Sequence, residues 1–371
     1  APEPMWPVRA IKTNKRRHFD VMIASEFRLT GGTTASNIEE IRAQRQNGLT
    51  TGLLQINRYN ISSASGINEK VREEIDGESV EMIVYGEEVS CDLLIVRHPP
   101  ILQHFQVNLP KVFPNEVLVI VNQPPFRDYG TEGARIYDFS VCQSNLIKYF
   151  GKKGIWFPIG PLVREAVLKE KDINKIINFS TENWYNLANV DEWKCDEPKC
   201  TGSRPIIGRH GRDQYVKWPD NANDLLNVYP DDPMFDVRIL GGADTVNQLL
   251  GKIPDNWTVY PFDSIHPKQY LKELDFFVYF HHKDWVEAFG RTPLEAMAVG
   301  MPVILPEHFR VLFKDAAIYA KPSEVKDIVM HLFNNKKEYE ERVSIGRMFA
   351  EENFGYSQHI KRIKPYVKKL K

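Results

Sequence analysis

The chain has 371 residues, 42% hydrophobic and 26% charged, with a formal net charge of -1. That length suits two globular domains, and the near-neutral balance supplies no overall basic field, which excludes a general nucleic-acid binder. No run approaches the ~18 apolar residues of a membrane span, and the first residues lack the apolar core of a signal peptide, so the sequence reads as cytoplasmic.

In chain order, residues 19–25 form an apolar, β-branched run, followed by the glycine pair Gly31 and Gly32 and a helix-like segment over 35–46 closed by Gly48. Further strands are expected at 52–56, 93–97 and 117–122, each ending in a polar or proline-rich loop. Alternating strands and helices predict a parallel sheet with ligand-facing loops at its carboxyl edge. Residues 1–160 therefore read as a first Rossmann-like domain, with a hinge at 158–161.

A second series places strands at 205–208, 237–241, 258–262, 276–280 and 303–305, with helices at 244–250, 268–274 and 324–333. It predicts another doubly wound α/β domain over 161–345, carrying an irregular insertion at about 171–203. Residues 346–371 read as a C-terminal helix that Pro365 ends or kinks. Its basic face suits solvent, or a peripheral contact with anionic lipid at the inner face of a membrane. Cys91 and Cys142 read as core residues, while Cys195 and Cys200 supply only half of a structural zinc site, so no metal is expected.

Two stretches carry chemistry. In the first, Thr292 reads as an N-cap, Pro293 as the first helical residue and Glu295 as the partner of a capping box. The amides of Phe289, Gly290, Arg291, Thr292 and Leu294 would then meet an anion at a helix start, with Gly290 allowing close approach. In the second, Arg209, Arg212 and Lys217 follow a strand end, with a proline-started helix just beyond, and suit a diphosphate whose charge grows as it leaves.

Glu287 and Glu295, seven residues apart in the pattern E-x-F-G-x-x-x-x-E-A-x-A-x-G-x-P-V-I, resemble the signature of the GT-B glycosyltransferases, specifically the retaining group called glycosyltransferase family 4. The resemblance implies two Rossmann-like domains facing across a cleft, with the last helix returning to the first domain. It implies a retaining, metal-independent hexosyl transfer from a nucleotide-diphosphate sugar to a glycan or lipid-linked glycan acceptor, as in bacterial surface polysaccharide synthesis. No cofactor is implied beyond that substrate. By the same resemblance Glu287 touches donor-sugar hydroxyls and Glu295 the ribose, and Arg209 or Arg212 with Lys217 grips the pyrophosphate. Gly31 and Gly32 resemble the family's glycine-rich loop that meets the donor phosphates, Gly241 matches its glycine turn, and Tyr260 to Phe262 fall where backbone meets the base. Many members present a histidine after a middle strand of the first domain. Here the corresponding strand end holds Asn122 and Gln123, candidates for sugar or acceptor contacts, and His98, which follows an earlier strand, is the candidate catalytic histidine or a loop residue. Two alternatives are a sugar-nucleotide 2-epimerase and a non-catalytic saccharide-binding domain of the same fold.

Overall fold

The computed structural model describes residues 16–58, 61–62, 65–126 and 134–371. They divide into two compact units, one built from the described residues up to 126 with 134–187 and 356–371, the other from 188–355.

In the first unit, β1 (Arg17–Ser25), β2 (Thr51–Gln55), β3 (Val80–Met82), β4 (Glu88–Arg97), β5 (Lys111–Val121) and β6 (Ile155–Pro158) form one sheet in the order β3-β2-β1-β4-β5-β6. Every pairing is parallel; Val21 lies opposite Thr51 on one side and Leu93 on the other. A parallel sheet is covered on both faces, so its central strands read as unbroken apolar runs. Val21, Met22, Ile23 and Ala24 of β1 and Leu93, Leu94, Ile95 and Val96 of β4 are accordingly buried. The exception is Arg97 at the end of β4, buried against the Glu40 carboxylate, which also accepts the Trp184 indole N–H at 2.7 Å.

The second unit repeats the plan with β7 (Ile206–His210), β8 (Asp236–Leu240), β9 (Trp257–Tyr260), β10 (Phe276–Val278), β11 (Val303–Leu305) and β12 (Ile318–Tyr319), ordered β12-β11-β10-β7-β8-β9 and again all parallel. Its core joins Ile207, Val237, Phe276 and Ile304 from the sheet to Leu225, Val329 and Tyr339 from helices. In each unit the winding reverses beside the first strand, between β1 and β4 and between β7 and β10. Ligands of doubly wound sheets bind outside the carboxyl ends of the strands at such a reversal.

Three expectations change. The stretch expected as a hinge is part of the first sheet: β6 runs through Pro158, and Gly160 precedes the helix Pro161–Leu168. The division expected after residue 160 falls after 187, because Phe179 and Trp184 of the irregular stretch find their partners in the first unit while Trp193 is buried in the second. Phe179 bridges to Trp156, and Trp184 packs edge-on against Phe157 at 5.4 Å. The tail breaks at Gly355, between the helices Lys336–Phe354 and Tyr356–Ile363, and Pro365 lies in the turn that follows.

The helix Tyr356–Ile363 lies in the first unit against the helix Gly32–Gln46. Tyr356 donates to Glu39 at 2.7 Å, and Gln44 donates to the buried His359 Nε2 at 3.0 Å. Beyond it, Lys368 meets Asp92 at 3.3 Å and Lys369 meets Asp20 at 3.8 Å, so part of the basic tail neutralises the unit's own acids.

Candidate functional site

The reversal between β7 and β10 collects most of the residues singled out in the second unit. Lys217 ends a short 3-10 turn, Tyr215–Lys217, and Glu287 lies on the loop that follows β10. The Lys217 Nζ donates to Glu287 Oε2 at 2.5 Å and lies 4.3 Å from the Trp285 ring centroid. The same carboxylate oxygen accepts the Tyr279 hydroxyl at 2.7 Å and the Trp285 indole N–H at 3.2 Å. Burial alone would raise the Glu287 pKa, but the Lys217 charge and hydrogen bond, with His281 and Tyr279, hold it down at about 2. Glu287 is thus a fixed anion, able to accept hydrogen bonds and unsuited to donating a proton.

Arg209 takes a different place from the one expected. Its guanidinium is buried, donates to the Lys217 carbonyl and lies 4.0 Å from the Trp218 ring centroid. It positions the Lys217 turn from beneath, while Arg212 is exposed on the loop after β7. Asp213 ties this loop to the next strand's turn: it accepts from Trp218 Nε1 at 2.9 Å and from the Thr245 amide at 3.1 Å. The start of the helix Asp244–Leu250 therefore already holds an anion of the protein's own. Gly241 permits that packing, since at φ 123 a Cβ there would lie 1.8 Å from the Gly211 carbonyl oxygen.

The helix after β10 starts two residues earlier than expected. It spans Arg291–Val299 with Gly290 (φ 76) as its N-cap, so Thr292 does not cap it and no capping box forms. Pro293 carries no N–H, and the Leu294 amide donates to the Gly290 carbonyl, which removes Leu294 from the amides expected to face an anion. Glu295 is buried and turned to other partners: Arg291 Nε at 2.8 Å, one helical turn back, and His210 Nε2 at 3.2 Å. Burial alone would raise the Glu295 pKa, but the Arg291 charge and the hydrogen bond with His210 hold the carboxyl below its usual range. A carboxylate on the helix is thereby bound to the last residue of β7. Phe289 is buried against Phe313 and Phe354.

In the first unit Gly31 (φ 102) is the N-cap of the helix Gly32–Gln46 at the end of β1. His98 follows β4 in a left-handed conformation (φ 78) and is buried. Burial, followed by the nearby Arg58 charge, pushes its pKa down to about 3, so the ring is neutral. Arg58 donates to Nε2 at 3.1 Å, which leaves Nδ1 as the protonated nitrogen, donating to Asn122 Oδ1 at 3.3 Å. Asn122 in turn donates to Thr33 at 2.9 Å, beside the glycine pair. Both ring nitrogens of His98 have partners, an arrangement that orients a loop more readily than it accepts a proton. Gln123 contributes its carbonyl to the Tyr137 hydroxyl at 2.9 Å.

Sequence reasoning missed Tyr279, Trp285, His210 and Asp213, and in the first unit the buried Glu26, which pairs with Arg28 at 2.7 Å and accepts from Gln55 and the Arg58 amide. A strand-end tyrosine or histidine gives no signal distinct from a core residue. Glu26, directly after an apolar strand, was the detectable one. Among the described residues, no group of three or more His, Cys, Asp or Glu is placed to hold a metal, and no helix is long and apolar enough to cross a membrane. All four cysteines are free thiols.

Residues 201–346 match the family described as Glycosyl transferases group 1. No curated protein is similar in sequence. Among solved structures, Anabaena Alr3699/HepE in complex with UDP and glucose is similar with a TM-score of 0.64 at 11% identity, over 94% of this chain and 99% of that one. Sucrose-phosphate synthase from Thermosynechococcus elongatus is similar with a TM-score of 0.62 at 12% identity, over 96% and 99%. A glycosyltransferase from Rickettsia africae ESF-5 is similar with a TM-score of 0.63 at 15% identity, over 97% and 100%. At these identities the likeness establishes the fold: two Rossmann-like domains of the GT-B architecture. Together with the matched domain, it supports the GT-B glycosyltransferase superfamily.

Proposed function

We propose that the chain is a glycosyltransferase that takes its sugar from a nucleoside-diphosphate sugar seated at the reversal point of the second sheet. The observation that carries the reading is the Lys217–Glu287 pair, held by Tyr279 and Trp285 beyond the carboxyl ends of β7 and β10. A lysine there neutralises the diphosphate as the anomeric C–O bond breaks, and a permanently ionised glutamate accepts sugar hydroxyls. Arg212 is the exposed cation able to reach a phosphate, while Arg209 holds the turn that presents Lys217. Glu295 serves the ribose by resemblance, through the face its partners His210 and Arg291 leave open. Crystals of the Anabaena neighbour hold UDP and glucose, and another of its structures holds UDP-glucose, which supports a uridine diphosphate donor.

The finer reading follows the resemblance: retention of configuration, transfer without a metal because the cations supply the neutralisation, and a glycan acceptor of the bacterial surface type. In the first unit, the His98–Asn122–Thr33 chain forms a polar edge available to an acceptor. The test is a thermal-shift panel of nucleoside diphosphates and their sugars. A ligand at ~100 times its dissociation constant adds about 2.7 kcal/mol. A shift with one nucleotide sugar that is lost in Lys217→Ala is the expected result. No shift with any member overturns the reading, and conversion of a donor to its epimer without acceptor replaces it with the epimerase.

A further inference from the structure

The helix between β5 and β6, together with the loop before β5, carries a surface of the first unit outside the residues assigned to transfer. The helix Phe139–Phe150 exposes Val141, Ser144, Ile147 and Lys148 along one face, where a solvent-facing stripe would ordinarily be polar. The loop that leads into β5 lies against its end. Phe105 stacks on Tyr149 at 4.7 Å, Lys148 Nζ lies 5.6 Å from the Phe105 ring centroid, and Asn145 donates to the Leu102 carbonyl at 2.8 Å. Gln106 fixes the loop from the other side through two hydrogen bonds with the Asn57 backbone, at 2.9 and 3.2 Å. The apolar residues are therefore held outward: Phe105 is 47% exposed, Ile147 40% and Val107 81%.

Charge around this patch has one sign. No aspartate or glutamate occurs over residues 98–115 or 139–164, in a chain whose acids otherwise match its bases. Lys148, Lys152 and Lys153 are exposed there, and none has a carboxylate partner among the described residues. The nearest acid on the helix is Asp138, whose carboxylate caps the Ser140 and Val141 amides. Lys111, at the start of β5, is paired with Glu88 at 2.8 Å and adds little.

We propose that this patch is a docking surface for an anionic lipid bilayer. Aliphatic and aromatic side chains flanked by unpaired lysines match an interface in which the apolar residues enter the acyl boundary and the ammonium groups reach the headgroups. A protein partner would favour arginine and tryptophan anchors, and the patch has neither. The basic C-terminal tail is the weaker candidate, since Lys368 and Lys369 are paired with Asp92 and Asp20.

The full chain is tested by co-sedimentation with vesicles of phosphatidylcholine alone and with about one third phosphatidylglycerol. Binding is expected only to the anionic vesicles and weakens as salt rises. Lys148→Gln with Lys152→Gln and Lys153→Gln should lower the partition coefficient by about two orders of magnitude, at roughly five-fold per lysine. Val107→Ser with Ile147→Ser should lower it by about ten-fold, and all variants should keep the parent's melting temperature because the sites are exposed. Lys361→Gln with Lys364→Gln in the tail should leave it unchanged. Absence of binding to the anionic vesicles overturns the proposal. So does loss of binding in the tail variant with retention in the others. The readout does not depend on the donor or on turnover, so it stands or falls apart from the transferase reading.

Discussion

Lys217 and Glu287 lie 70 positions apart in sequence and 2.5 Å apart in the structure, with both side chains mostly buried. On the proposed reading, a diphosphate reaching the ammonium would compete with the carboxylate for it, so the pair would set how strongly the second unit binds phosphate. Lys217→Ala should weaken nucleoside-diphosphate binding much more than nucleoside binding. It should also cost about 2 kcal/mol of stability, because the Glu287 charge is left partly buried without its cation. Glu287→Gln retains the shape but leaves the Lys217 ammonium without its anion, so it should also cost about 2 kcal/mol of stability while transfer falls by at least about a hundred-fold. Calorimetric binding and thermal unfolding of the two variants check this. Equal losses for nucleoside and diphosphate would remove Lys217 from the phosphates.

The same carboxylate makes a pH signature. Glu287 titrates at about 2 in the fold against 4.5 when exposed. Its contribution is fully present above about 4.5 and is lost as pH falls towards 2. Urea unfolding followed across this window should show a steeper acid loss for the parent chain than for Glu287→Gln. Parallel curves would mean that Lys217 does not hold the carboxylate in solution.

Three histidines act in a higher window. Burial depresses His98 to about 3 and His281 and His359 to about 4, from an ordinary 6.5. Each is neutral in the folded chain but takes a proton when unfolded below 6.5, so stability falls as pH drops from about 6.5 towards 4. The slope is about 1.4 kcal/mol per pH unit for each. His359→Gln should reduce the total slope by one proton, measured as the pH dependence of the urea midpoint. An unaltered slope would place His359 in solvent.

Much of this architecture was legible in the sequence, for a physical reason. Strands buried on both faces are continuous apolar runs, so β1, β4, β7 and β11 stood out, and Val303–Leu305 was expected with the bounds observed. β6 did not stand out because Trp156 and Pro158 beside Gly160 read as loop chemistry, and β12 is only two residues long. The two glutamates were readable because their spacing is local. Their partners His210 and Lys217 lie at and after the end of β7, and only the sheet order brings those beside the loop and helix after β10, whereas Tyr279 follows β10 itself and reads as part of the strand. Thr292 misled because a threonine three residues before a glutamate resembles a capping box, whereas the αL conformation of Gly290 starts the helix without a side-chain cap.

Gly241 offers a test of the fold around the site that is independent of charge. With φ at 123 and the Gly211 carbonyl 1.8 Å from where a Cβ would be, no other residue fits without separating the loops after β7 and β8. Gly241→Ala should destabilise the second unit by about 3 kcal/mol or more and move Asp213 away from the Thr245 amide. Thermal unfolding measures it directly. A variant as stable as the parent would mean that the two loops do not pack as described.

The sequence left open which arginine meets the phosphates, and the structure separates the two by burial. Arg212 is exposed, so Arg212→Ala should leave the melting temperature within a degree or two while weakening nucleoside-diphosphate affinity about ten-fold, the scale of one lost charge-assisted contact. Arg209 is buried beneath Lys217, stacked on Trp218 and bonded to the Lys217 carbonyl. Arg209→Ala should therefore lower stability by about 3 kcal/mol and weaken diphosphate binding only as a consequence of the displaced turn. Arg209→Lys restores the charge without the planar fork, and should recover little of either. Full recovery by lysine would show that Arg209 acts as a charge towards the ligand, and would exchange the roles of the two arginines.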